Sequence, residues 1–237
     1  MKFARPDSRP RSLAWAGAAL CGALCGRFPA PSQLLANGVR DEARRLRDLR
    51  ERGVRVPRVH LVADDCLVLE DCGETVEGLL GALPPRERVL LLWSVADDLA
   101  GFHREGHWHG GAQLRNLTLK DGAIYRIDFE ENIGAALPLE LAQAYDVLLA
   151  FNSMIDHLDG DHALGERLLA HYLARVRSEP VVEALERVER WLAGLLRIDP
   201  CLPPRLRRKS DLRRTREFSR ILAEAMATHR RRTGAGE

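Results

Sequence analysis

Between His107 and Gly134 the chain reads HWHGGAQLRNLTLKDGAIYRIDFEENIG, and several residues there can do chemistry together. Asn116 and Asp128 are hard oxygen ligands of the type magnesium takes, one amide and one carboxylate, leaving room for waters and phosphate oxygens. His109, Gln113 and Glu130 are polar groups that can orient a hydroxyl. Asn116 stands just before a strand-like run, LTL, and Asp128 just after a second, AIYRI, with Asp121-Gly122 between them as a strong hairpin signal. Pairing two such runs brings their open ends together, so ligands far apart in the chain meet. Phosphoryl transfer needs such ligands to hold magnesium on the phosphates, a cation on the phosphates, and an oriented acceptor hydroxyl.

Two other metal patterns are weaker. His103, His107 and His109 form an H-x-x-x-H-x-H series that suits zinc, yet no carboxylate at metalloenzyme spacing accompanies it. The segment DHLDGDH, from Asp156 to His162, lacks calcium-loop spacing and reads as a solvated turn between helices.

The surrounding elements must position this segment. Upstream, NGVRDEARRLRDLRERGVRVP predicts a helix with Ala43, Leu46 and Leu49 on one face, stopped at Gly53. Strands are expected over Val59–Val62 and Cys66–Glu70, joined at Asp64-Asp65, with Gly73 ending the second run. Pro84-Pro85 opens a long helix to about His103, with Val89, Leu92, Trp93, Ala96, Leu99 and Phe102 as its apolar face. After Pro138 three apolar-periodic segments and a basic helix follow. The order predicts an α+β fold: a small mixed lobe and a larger, mostly helical one.

The pattern H-G-x-x-x-x-x-N…hydrophobic-D-F, carried by His109, Gly110, Asn116, Ile127, Asp128 and Phe129, resembles the protein-kinase-like superfamily. Compact bacterial members are the nearest in kind: atypical serine/threonine kinases, aminoglycoside phosphotransferases and lipopolysaccharide-core sugar kinases. The resemblance implies a bilobal kinase-like fold with a truncated N-terminal β lobe over 1–73. The C-lobe would span 74–237, with the catalytic hairpin at 107–130. It implies ATP and Mg2+ as cofactors, Asn116 and Asp128 as the metal ligands, and a reaction loop that includes His109, Gly111 and Gln113. It also makes Glu42 the partner of a nucleotide-binding lysine, and Leu69, Glu70, Asp71 and Gly73 the hinge that cups adenine. Asp146, in AQAYDVLLAF, matches an aspartate that braces the catalytic loop. The bland alternative for Glu42 is a first-turn carboxylate favoured by the helix dipole.

Two departures stand out. The family's glycine-rich phosphate loop does not precede these motifs. Lys2, the one lysine before Glu42, resembles the phosphate-contacting lysine. The expectation is that the first two strands are missing, by natural truncation or a late start codon; an upstream in-frame extension of roughly 30 residues with a glycine-rich turn would support the latter. The second departure is Gly111, where the family's acid orients the acceptor. Its loss points to a pseudokinase. Against that, the transition state is loose, and positioning and charge neutralisation supply most of the rate, so His109, Gln113 or Glu130 can take over the hydroxyl. An active serine/threonine kinase is the preferred reading. A pseudokinase that binds nucleotide or a partner, and a lipopolysaccharide-core sugar kinase, are the alternatives.

Composition is ordinary for a globular chain, with 46% hydrophobic and 30% charged residues and a formal net charge of +2. The cations are nearly all arginine, with lysine at Lys2, Lys120 and Lys209, and the arginine excess supports no nucleic-acid role. Five cysteines without a CxxC pair fit reduced cytosolic thiols. The basic start followed by the apolar run Leu13–Gly26 admits a secretory signal peptide, but the plainer reading is a buried or membrane-facing helix. With the basic run Arg205–Arg216 it leaves weak contact with a membrane surface open. The expected location is cytoplasmic or peripheral at the inner membrane, and the expected partners are ATP and a hydroxyl-bearing protein or sugar.

Overall fold

The computed structural model describes residues 2–3, 38–130, 133–198 and 210–234. The Leu13–Gly26 run, the Lys2 side chain and the first part of the basic run lie outside the described residues and side chains. Among the described residues the fold is mixed α and β, mostly helical, with two small sheets. Packing divides the chain into two compact units: Met1–Leu79 with Trp108–Asp146, and Leu80–His107 with Val147–Glu237. The lobes expected from sequence ran 1–73 and 74–237; residues 108–130 fall in the unit that holds the strands.

In the first unit, β1 (Lys2–Phe3) precedes helix α1 (Val39–Glu51) and the strands β2 (Val59–Val62) and β3 (Cys66–Leu69). The sheet order is β1-β3-β2, both pairings antiparallel, with Lys2 opposite Leu67 and a register shift in β2 between Val59 and Leu61. Helix α1 forms because Ala43, Leu46 and Leu49 recur at helical spacing and all three are buried. Asp41 and Glu42 occupy its first turn, where the dipole favours acids.

The second sheet of that unit has order β4-β5-β6, from β4 (Glu74–Thr75), β5 (Leu117–Lys120) and β6 (Ala123–Arg126). Asp121 (φ 51°) and Gly122 (φ 74°) turn the β5–β6 hairpin with both central residues left-handed, the conformation that matches strand twist. The chain after α1 is tied to this sheet twice: the Arg126 amide donates to the Arg55 carbonyl at 3.0 Å, and Arg55 Nε donates to the Ile124 carbonyl at 3.1 Å.

Helix α2 (Val76–Ala82) leads to α3 (Pro85–Arg104), which starts with proline in its first turn, where no amide partner is lost. After a short α4 (Ile133–Ala136), α5 (Leu139–Met154), α6 (His162–Val176), α7 (Glu179–Ile198) and α8 (Ser210–Gly234) are the remaining α-helices among the described residues. In the second unit α3 and α8 both pack on α6, and α8 also packs on α7. The core joins Leu92, Val95, Ala96 and Leu99 of α3 with Leu168, Leu169 and Tyr172 of α6 and Phe218, Leu222 and Met226 of α8. Each valine, leucine, phenylalanine or methionine among them contributes about 1.5–3 kcal/mol on burial. The buried face of α3 is rotated from the expected one. Leu91, Val95 and Ala100 are inside, while Val89 and Trp93 are half-buried. Apolar residues surround much of this helix, so periodicity alone leaves its rotation open.

Among the described residues no helix is long and apolar enough to cross a membrane. The Asp156–His162 segment is a turn of caps and ion pairs. Asp161 accepts the Leu164 amide at 2.8 Å, Arg88 pairs with Asp159 at 2.6 Å, and Asp156 receives both Arg213 and Arg214.

Candidate functional site

The loop that follows α3 is built on one buried carboxylate. Asp146 of α5 is fully buried and accepts the His109 amide at 2.5 Å and the Gly110 amide at 2.7 Å. Two adjacent N–H groups on one carboxylate hold the loop in a single shape. Gly110 sits at φ 89°, where a side chain would be strained, which accounts for glycine after the histidine. The brace expected at Asp146 is therefore in place.

His109 extends this brace across the loop. Its Nδ1 accepts the Gly111 amide at 3.1 Å, which puts the ring proton on Nε2, 3.0 Å from the Ile127 carbonyl it donates to. The ring is fully buried and stacks on Phe129 with centroids 4.2 Å apart. Burial pushes the imidazole down to about 4; Asp146 opposes this, and Arg45 and Arg126 reinforce it. His109 is thus neutral, with both nitrogens engaged, which removes it from the groups expected to orient an acceptor hydroxyl. Gln113 and Glu130, both partly exposed, remain.

The two expected metal ligands come together at the edge of the β5–β6 sheet. The Ile127 amide donates to the Asn116 carbonyl at 2.9 Å, so Asp128 follows directly on the residue bonded to Asn116. Asn116 is buried, and its Nδ2 donates to the Gly111 carbonyl at 2.8 Å, which makes Oδ1 the atom suited to a cation. Asp128 is held at φ 66°, a left-handed conformation that aspartate adopts more readily than most residues with a Cβ. One carboxylate and one amide oxygen suit magnesium, which takes its other ligands from phosphate and water. Among the described residues no group of three or more His, Cys, Asp and Glu side chains converges as a metal site, so the zinc reading of His103, His107 and His109 has no support there. His103 instead bonds the Tyr172 hydroxyl through Nδ1 at 2.7 Å.

Gly111, where an acid was expected, is buried within backbone bonds. Its amide meets His109, and its carbonyl accepts from Asn116 Nδ2 and from the Gln113 amide at 2.8 Å.

Glu42 reaches this centre from α1. It is buried, and its Oε1 accepts the Phe129 amide at 3.2 Å, fixing the backbone beside Asp128. The expected hinge is tied to the hairpin turn. Lys120 Nζ donates to the Asp71 carbonyl at 2.8 Å and approaches Glu70 at 3.5 Å. Asp71 caps the Gly73 amide, and the Arg58 amide donates to Glu70, whose carboxyl this bond and nearby cations lower. At Gly73 an added Cβ would lie 2.2 Å from the Leu119 carbonyl oxygen, so only glycine lets hinge and hairpin touch. Leu69 is half-buried at the end of β3.

Arg45 was not singled out from the sequence. Its guanidinium lies 3.7 Å from the Trp108 ring centroid and 4.9 Å from that of Phe129, and donates to the Trp108 carbonyl at 2.9 Å. Burial lowers it to about 10, against the attraction of Asp146 and Glu42. In an arginine-rich helix nothing local marks this arginine out; its place one turn after Glu42 was the available signal.

No protein-family model matches the chain. Over 91 residues it is 37% identical to the KEOPS complex subunit Bud32 of Pyrococcus abyssi, a match covering 37% of this chain and 41% of that protein. The chain thus spans about two fifths of that relative's length. Over 151 residues it is 30% identical to the probable serine/threonine-protein kinase BUD32 homolog of Archaeoglobus fulgidus, covering 62% of this chain and 72% of the relative. With the looped Asn116–Asp128 centre braced by Asp146, these matches show that the chain belongs to the Bud32 family of the protein-kinase-like superfamily.

Proposed function

We propose that the chain is an ATP- and magnesium-dependent phosphotransferase acting on serine or threonine hydroxyls. The observation that supports this reading best is the Ile127–Asn116 backbone bond, which sets Asp128 beside Asn116 at one sheet edge. Bound there, magnesium would neutralise charge on the ATP phosphates. The protein's own part is positioning. Asp146 and His109 hold the loop, Glu42 holds the Phe129 amide, and Asn116 Oδ1 and the Asp128 carboxylate present oxygen ligands. Lys2 is assigned to the phosphates, and Leu69, Glu70, Asp71 and Gly73 to the adenine edge. Gln113 or Glu130 would orient the acceptor. Sugar hydroxyls, as in lipopolysaccharide-core or aminoglycoside phosphotransferases, are the nearest acceptor variants. The proposed site of action is cytoplasmic, with a peripheral location at the inner membrane as the alternative. The Pyrococcus relative is named as a complex subunit, which makes a protein partner for this chain part of the proposal.

One observation favours a second reading, a pseudokinase. The loop around Gly111 is fully bonded without the family's acid, so its shape does not need an acceptor-orienting carboxylate.

Thermal unfolding with ATP, with and without Mg2+, tests the centre, and transfer of labelled γ-phosphate separates the two readings. Asp128→Gly is the informative variant, because glycine keeps the φ 66° turn while removing the carboxylate. The wild-type protein should gain several degrees with ATP that depend on Mg2+, and Asp128→Gly should lose them. An unchanged Mg2+-dependent shift in Asp128→Gly would show the centre to be misplaced. A Mg2+-dependent shift without phosphate transfer would favour the pseudokinase.

A further inference from the structure

Arg45 joins elements that the reaction would need held in register. Its stem leaves α1 one turn after Glu42, and its guanidinium covers the Trp108 ring at 3.7 Å while bonding the Trp108 carbonyl. Trp108 is the residue before His109, at the mouth of the braced loop. The same guanidinium lies over Phe129, the residue after Asp128, and Phe129 in turn stacks on His109. Trp108 is pinned from another direction too. A Cβ on Gly134 would lie 2.2 Å from Trp108 Cε3, so the backbone after the Asp128 segment packs directly against the indole. Arg45 thus touches the entry to the loop and the aromatic that carries the Asp128 backbone, and Trp108 relays the contact to Gly134.

A half-buried arginine is an expensive way to fill space, since part of its charge is desolvated. Here the planar group does what an apolar side chain cannot: it bonds a carbonyl in its plane and faces aromatic rings above it. We propose that Arg45 is a positioning residue, coupling helix α1 to the His109–Asn116 loop and to the Asp128 turn through Trp108 and Phe129. The coupling rests on the phosphotransferase reading for its consequence, though not for its geometry. Glu42 and Arg45 then act as a pair from one helix: the carboxylate fixes the Phe129 amide and the guanidinium fixes its ring. Displacement of α1 would shift both metal ligands together.

The test has two arms on the full chain. In the first, amide hydrogen exchange is measured without nucleotide on the wild type, Arg45→Met and Arg45→Lys. Arg45→Met should exchange roughly tenfold faster at residues 107–116 and 127–130, with unchanged exchange in α6 and α8. Arg45→Lys, which keeps a cation without the planar stack, should fall between. In the second arm, the Mg2+ concentration giving half of the ATP-dependent thermal shift is measured. It should rise roughly tenfold in Arg45→Met while the Mg2+-independent part of the shift holds. Unchanged exchange around the loop in Arg45→Met would overturn the proposal. So would faster exchange spread evenly over both units, which would mark a merely structural residue. If the wild type shows no Mg2+-dependent shift, the phosphotransferase reading fails, while the exchange arm still decides the role of Arg45. Should Arg45→Met not fold, Arg45→Lys and Gly134→Ala take its place, the latter forcing Trp108 off the backbone it rests on.

Discussion

Two aspartates in the two units show how differently the same carboxylate is used. Asp146 is fully buried in the first unit and accepts two consecutive amides of the loop at 2.5 and 2.7 Å. Asp156, in the second, is exposed at its turn and gathers Arg213 and Arg214 from α8. One carboxylate replaces water for backbone donors that have no other partner. The other exchanges water for partly exposed cations that water serves nearly as well. The first unit is therefore held around its centre by buried polar bonds. In the second, apolar packing among α3, α6, α7 and α8 supplies the cohesion, and most charged groups lie outside it.

Three substitutions or conditions would break or sharpen that contrast. Asp146→Ala has the largest expected effect, about 3–5 kcal/mol of stability, because it orphans two buried amides and leaves the Arg45 charge less compensated. Denaturant titration measures it, and a loss no greater than for a surface ion pair would remove the brace from the account.

Acid comes next, through His109. Its folded imidazole is near 4 against an ordinary 6.5, so below 6.5 the unfolded chain takes up a proton that the folded one refuses. Stability from this group is complete above pH 6.5 and declines as pH falls toward 4, by about 3 kcal/mol in all. His109→Gln should start less stable but lack that slope. Equal slopes for the two proteins would show that His109 is not the titrating group.

Asp156→Ala should cost least, under about 1 kcal/mol, and less still in high salt. A loss as large as that of Asp146→Ala would erase the distinction between the units.

The centre was legible in the sequence to the extent that short-range rules govern it. Asp121-Gly122 announces a hairpin because few residues accept two left-handed positions, and the hairpin then brings Asn116 and Asp128 to one edge. The helix of Ala43, Leu46 and Leu49 was equally plain. Glu42 was expected to serve Lys2, whose side chain lies outside the described ones; what the structure adds is its bond to the Phe129 amide, a contact between residues far apart in the chain. The role of His109 was misread for a related reason. A histidine in a polar motif reads as chemistry until its burial and both ring partners are known.

What the chain determined by itself was therefore local: the periodic helices, the tight turn, and the order of oxygen ligands along a strand-turn-strand. These follow from backbone sterics and from spacing, which act over a few residues. The tertiary structure alone decided the rotation of α3, the engagement of His109, and the choice of Arg45 among many arginines as the one over Trp108 and Phe129. Those depend on desolvation and on partners brought together by folding, and no window of sequence contains both sides of such a contact.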